Sequence, residues 1–312
     1  MLVKFQDWKI PTDADFAFRL RPLEGEGAFL PRAAPGVTDI REVARDVMLP
    51  GEAERFETRV KRWSGPEDRD TSGHQPYVTQ QLLFDDRPSS TVLGAADVEM
   101  VLRGTVRVLR GPHHTDYILR DHHMLDVVLY HYRLSGLLPR ALFHADRHSD
   151  WCKDSFLERR IPEQAATWWK LLHGLKRPGG APVLEEDRVV FATAKAEHQS
   201  WMSGSNVGAA TMVPWFLNAG ALTWQHALER ESVCDWVSLD LDYFQPSVQL
   251  RLARGLIRDE RFQRLMLNAP VRVFVLSPQF TNGGEKIPSW EVEGSMASSL
   301  RLLNLLRTLS AV

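Results

Sequence analysis

From about residue 91 onward the chain alternates short β-branched runs with segments of helical length, a pattern that few folds can satisfy. Strands are read near Glu99–Leu109, Tyr117–Arg120, Ala141–Ala145, Arg188–Thr193, Trp236–Leu241 and Arg272–Leu276. Helical patterns are read over His122–Gly136, Glu163–Leu175, Gln249–Leu267 and Glu291–Leu306. Strands alternating with helices bury their apolar faces as a mostly parallel sheet with helices on both sides, so the fold class is α/β with three layers. In such sheets ligand-binding residues gather at the carboxyl ends of the strands. Residues 1–90 read differently. They are rich in Pro, Gly and charge, with one helical stretch, Asp39–Trp63, and a loop over 64–76. We take 1–90 as an accessory region packed on a main domain of residues 91–312.

Composition excludes several roles. A chain of 312 residues can bury a sizeable core. A net charge of -2 provides no basic face for nucleic acid. Short basic clusters such as Arg59-Val60-Lys61-Arg62 and Glu158-Arg159-Arg160 read as solvated helix faces. No apolar run reaches the roughly 18–20 residues of a bilayer span, and the start has no basic-then-apolar signal pattern. Cys152 and Cys234 are too few for a disulfide framework or a cysteine zinc cage. The expectation is a cytoplasmic protein with neither nucleic-acid nor membrane partners.

Two strands run into acidic clusters. Leu142-Phe143-His144-Ala145 continues as Asp146-Arg147-His148-Ser149-Asp150, and Val237-Ser238-Leu239 continues as Asp240-Leu241-Asp242. With a side-chain period of two, His144, Asp146, His148 and Asp150 share one face. Ser238, Asp240 and Asp242 likewise share a face, opposite Val237, Leu239 and Leu241. A lone Asp-x-Asp at a strand end is most often a loop cap. Four carboxylates converging at strand ends, however, repel one another unless a cation intervenes. Oxygen-rich donors with an imidazole or two suit manganese better than zinc or copper. Leu119-Arg120-Asp121-His122-His123 ends another strand and offers a further ligand, His122 or its neighbour His123, with His122 favoured.

These motifs resemble the arginase-like (ureohydrolase) family. Its pattern of a histidine at one strand end, then Asp-x-His-x-Asp, then Ser-x-Asp-x-Asp, is met by Asp121-His122, by Asp146-Arg147-His148-Ser149-Asp150 and by Ser238-Leu239-Asp240-Leu241-Asp242. The resemblance spans about residues 115–290. It implies the arginase-like three-layer fold and two manganese ions. Asp146 and Asp240 would bridge them, His122 and Asp150 would complete one site, and His148 and Asp242 the other. It also implies hydrolysis of a guanidinium by water activated between the metals, with urea released. Gln245 departs from the family, standing where a third aspartate is common in the run Asp242-Tyr243-Phe244-Gln245-Pro246.

A second departure concerns substrate. Free-arginine enzymes follow Asp-x-His-x-Asp with polar residues that clamp the amino acid's amine and carboxylate, whereas this chain continues Trp151-Cys152-Lys153-Asp154-Ser155-Phe156-Leu157. Together with Leu276-Ser277-Pro278, the motifs look like an atypical branch containing the peptide arginases. Those enzymes convert arginine to ornithine in ribosomally made peptides, so the implied partner is an arginine-containing precursor peptide. Glu285, in Asn282-Gly283-Gly284-Glu285, is the first candidate to hold the guanidinium, with Glu291 and Glu293 as alternatives. His144 is a candidate proton shuttle or hydrogen-bond partner of the site. Cys152 reads as a bystander, and Asn206 and Trp215 as core or pocket wall. The competing readings are a deacetylase-like amidohydrolase on the same fold, against which Asp150 argues, and a non-catalytic module that binds metal or peptide.

Overall fold

A computed structural model describes residues 2–4, 18–23, 37–63, 82–88, 92–120, 123–146, 174–183, 189–193, 215–218, 234–241, 258–277 and 300–307. Its strands are β1 (Leu2–Lys4), β2 (Thr38–Asp39), β3 (Leu83–Pro88), β4 (Thr105–Arg110), β5 (Thr115–Leu119), β6 (Leu142–Asp146), β7 (Val189–Thr193), β8 (Trp215–Asn218), β9 (Trp236–Asp240) and β10 (Val271–Val275). They form one ten-stranded sheet in the order β1-β8-β7-β6-β9-β10-β5-β4-β3-β2. From β8 across to β5 every neighbouring pair is parallel. Antiparallel pairs lie outside that centre, β1 on β8 at one edge, β4 on β5 and β2 on β3 toward the other.

Helices cover both faces. On one side α1 (Ile40–Val47) and α4 (Met124–Ser135) pack on Leu142, Trp236, Val271, Val273 and Val275. On the other side α3 (Ala95–Leu102), α5 (Glu260–Asn268) and the helical residues 300–307 pack on Phe143, Ala145, Val237, Leu239 and Phe274. Alternate residues of one strand therefore belong to opposite cores, as a period of two requires. The expected α/β architecture with three layers is what forms.

The sequence expectations differ from the structure in places. The run Glu99–Leu109 is not one strand. Its first part belongs to α3, a turn follows at Arg103-Gly104, and β4 begins only at Thr105. Gly104 adopts a φ of 97°, a conformation that favours glycine and lets the chain reverse there. The stretch Asp39–Trp63 is two helices, α1 and α2 (Pro50–Trp63), because Pro50 cannot donate the hydrogen bond that would continue α1. Residues 163–173 of the helix expected over Glu163–Leu175 and the loop over 64–76 fall outside the described residues, as do 249–257 and 291–299 of two other expected helices.

The inner face of α4 carries a titratable group. The His131 imidazole is buried, its Nδ1 hydrogen-bonded to the Tyr117 hydroxyl at 2.7 Å, and its ring stands edge-on to Trp236 at 5.4 Å. Burial pushes its pKa down to about 4. An unfolded histidine titrates near 6.5, so between about pH 6.5 and about pH 4 the unfolded chain binds the extra proton. Stability is thus fully present above that window and lost as pH falls through it, by about 3 kcal/mol at about 1.4 kcal/mol per unit. Urea unfolding of wild type and His131→Phe at both ends of the window should show a smaller acid loss in the variant. Equal losses would assign the acid sensitivity elsewhere.

Candidate metal centre

Strand order determines where a crevice opens. From β6 the chain proceeds to β7 and β8 on one side, then returns to β9 on the other side of β6 and continues to β10. The carboxyl ends of β6 and β9, adjacent parallel strands at which the strand order reverses, are therefore a topological switch point, the place where open α/β sheets bind ligands. Asp146 is the last residue of β6 and Asp240 the last of β9. Their register sets His144 against Ser238 and Ala145 against Leu239, and the next residues along the two strands are the two aspartates. The sheet thus brings the proposed bridging pair together at the switch point.

Both carboxylates are out of water, Asp146 at 0% and Asp240 at 1% exposure, with His144 at 0% beside them. A polar chain runs through the site. Ser238 Oγ and His144 Nδ1 are hydrogen-bonded at 2.9 Å, and His144 Nε2 lies 3.5 Å from Asp146 Oδ2. On the other flank Ser277 Oγ donates to Asp240 Oδ2 at 2.7 Å. Carboxylates are rarely buried this deeply without compensation, because desolvation disfavours their charged form and neighbouring like charges repel. A divalent cation would relieve both costs. The donor set fits a manganese-type ion, being oxygen-rich with imidazole nearby. Thiolate does not compete among the described residues, since the Cys234 thiol is directed to the Ala141 and Trp236 carbonyls.

His123, the alternative ligand, immediately precedes α4, and its Nδ1 lies 3.5 Å from Asp126 Oδ2 in the first turn. His122, His148, Asp150, Asp242 and Glu285 lie outside the described residues, as do Cys152 and Asn206. Trp215 begins β8. Among the described residues no group of three or more His, Cys, Asp or Glu side chains is gathered for a metal ion. Ser277, named in the sequence only as part of the Leu276-Ser277-Pro278 strand end and given no role there, is a contributor to the site. It lies just past the end of β10, and only the register of β10 on β9, Val275 opposite Asp240, brings it to the site.

No family model matches the chain, and no curated protein matches it. Among solved structures it is similar to the proclavaminate amidino hydrolase from Streptomyces clavuligerus, with 18% identity and a TM-score of 0.36 over 62% of this chain and 63% of that one. It is also similar to Helicobacter pylori arginase, with 14% identity and a TM-score of 0.34 over 62% and 74% of the two chains. A third is the agmatine ureohydrolase of Thermoplasma volcanium, with 13% identity and a TM-score of 0.34 over 69% and 66%. The chain therefore spans just under two thirds of the first of these structures. None of the described helices is long and apolar enough to cross a membrane.

Proposed function

We propose that the protein is a manganese-dependent hydrolase of the arginase-like type. On this reading it converts arginine side chains of a precursor peptide to ornithine, consuming water and releasing urea. The observation that carries the reading is the meeting of Asp146 and Asp240, both buried, at the switch point of the parallel sheet. The order and spacing of the motifs around them support it. Asp146 and Asp240 would hold a pair of ions with His122, His148, Asp150 and Asp242. Bound there, the metal pair would supply Lewis acidity and activation of water. His144 aligns the Asp146 carboxylate, and Ser238 keeps the His144 ring turned toward it. Glu285 is the proposed holder of the guanidinium, which must stay within about 3–3.5 Å of its attacker.

A peptide is favoured over free arginine because Trp151, Phe156 and Leu157 follow the ligand segment, in a stretch where a free amino acid would need partners for two opposite charges. Placing a zwitterion against apolar side chains without hydrogen bonds costs several kcal/mol, whereas a peptide backbone carries no such charges. The expected kcat/KM for a blocked arginine peptide exceeds that for free arginine by about a hundredfold or more, the ratio that a few kcal/mol gives. Manganese-loaded protein is incubated with a panel of arginine peptides and with free arginine. Urea is assayed, and the peptides are read by mass for loss of CH2N2. Equal or better use of free arginine would reject the peptide substrate, and no urea from any arginine compound would reject the enzyme.

A further inference from the structure

Ser277 has a backbone conformation unusual for its residue type, with a φ of 39° in the left-handed region that favours glycine. Outliers of this kind persist where the surroundings hold them, and they concentrate at functional sites. Three contacts hold this one. Its N–H donates to the Arg120 carbonyl at 2.9 Å, the Leu276 N–H donates to the Leu119 carbonyl at 2.9 Å, and its hydroxyl donates to Asp240 Oδ2 at 2.7 Å. The backbone bonds extend the β10–β5 ladder past its last paired residues, Val275 and Leu119. The hydroxyl reaches across to the end of β9. One residue thus ties three strand ends together, and the β5 end it grips stands two positions before His122.

We propose that Ser277 is a positioning residue of the metal centre, fixing the orientation of the Asp240 carboxylate and locking it to the strand end that leads to His122. This rests on the metal-centre reading above. Both partners of the hydroxyl bond are buried, Ser277 at 2%, so bulk solvent has little access to replace it. With Oδ2 engaged, the plane of the carboxylate is set and Oδ1 is presented in a defined direction. Loss of that hydrogen bond would remove one of the contacts that order the carboxylate before an ion binds, at a cost in affinity.

The left-handed backbone makes the test discriminating. Ser277→Gly removes the hydroxyl and also removes the steric penalty of a side chain at positive φ, so its thermal midpoint should lie above that of Ser277→Ala. Manganese affinity should nevertheless fall about tenfold to a hundredfold, the scale seen when a hydrogen-bond partner of a metal-holding side chain is lost. Ser277→Ala should show the same loss of affinity with a lower midpoint. Calorimetric titration with manganese alone, on the full chain, reads these effects without reference to activity. Wild-type affinity in both variants would overturn the role of Ser277, and Asp240→Asn losing manganese in the same series would leave the metal centre standing. A fall in affinity accompanied by loss of cooperative unfolding in Ser277→Gly would also overturn it, as a collapse of the strand ends. A wild type that takes up no manganese, or an Asp240→Asn that binds it as well as wild type, would overturn the metal centre together with the proposal.

Discussion

Asp146→Asn and Asp240→Asn are each expected to lower hydrolysis of an arginine peptide by about three orders of magnitude, and to reduce manganese retention. The magnitude follows from the several kcal/mol that a divalent ion contributes as a Lewis acid, at about 1.4 kcal/mol per factor of ten in rate. Asparagine preserves the size of the side chain but replaces a charged oxygen with an amide nitrogen that cannot ligate. Because both residues end buried strands at the switch point, no neighbouring backbone movement can easily bring in a substitute. Asp242→Asn should weaken mainly one of the two ions. Elemental analysis after desalting and a urea assay on the same preparations measure both quantities. If Asp146→Asn kept its manganese and its rate, the bridging role of that residue would be wrong.

The second large effect is on stability and lies toward the amino-terminal ends of two other strands of the same sheet, β5 and β10. Asp116 in β5 is hydrogen-bonded by Arg272 of β10 through Nε at 2.6 Å and Nη2 at 3.0 Å, and by Arg307 Nε at 3.0 Å. Asp116 and Arg272 are register partners, each 1% exposed, and Arg307 reaches them from the helical segment 300–307. Removing the carboxylate leaves two buried guanidinium groups without their shared counter-charge. Asp116→Ala should therefore cost about 3–5 kcal/mol, a large share of the roughly 5–15 kcal/mol that a typical domain has. Urea unfolding at neutral pH gives the difference directly. A loss below about 1 kcal/mol would mean that the two arginines find water or other acceptors on substitution.

Much of the central sheet could be read from the sequence because its strands are short, mainly apolar runs in which polar residues fall at alternate positions. In Trp236–Leu241 the alternation alone assigned Val237, Leu239 and Leu241 to one face and Ser238 and Asp240 to the other, and the structure separates them in that way. The same period placed His144 with Asp146, which lie 3.5 Å apart. What failed to show was structure set by partners distant in sequence. β3, Leu83-Phe84-Asp85-Asp86-Arg87-Pro88, was not among the expected strands, and it forms where its acids meet arginines of β4. Asp85 pairs with Arg107, and Asp86 accepts from Arg110 Nε at 2.8 Å. The apolar residues of α3 and β4 merged into one apparent strand because Arg103-Gly104 is a short interruption whose meaning lies in a backbone angle. The contact that Ser277 makes, though its strand-end motif was noticed, was hidden for a related reason. Its partner is on another strand, 37 residues away, and no periodicity along one strand encodes that register.

The two ends of the sheet also bear on how copies of this protein meet. A wide sheet with long, flat outer strands would offer rows of free backbone donors and acceptors to any passing extended chain. Among the described residues the outermost strands are β1, of three residues, and β2, of two, and each runs antiparallel to its neighbour. β2 leads directly into α1, whose first turn is capped by the Asp39 side chain accepting from the Arg41 N–H at 2.9 Å. Such short margins give a foreign strand little length to zip onto. Contact between copies would then have to use side-chain surfaces on the helical layers, where fit is selective, in preference to backbone pairing, which accepts almost any sequence and is the route to fibrils.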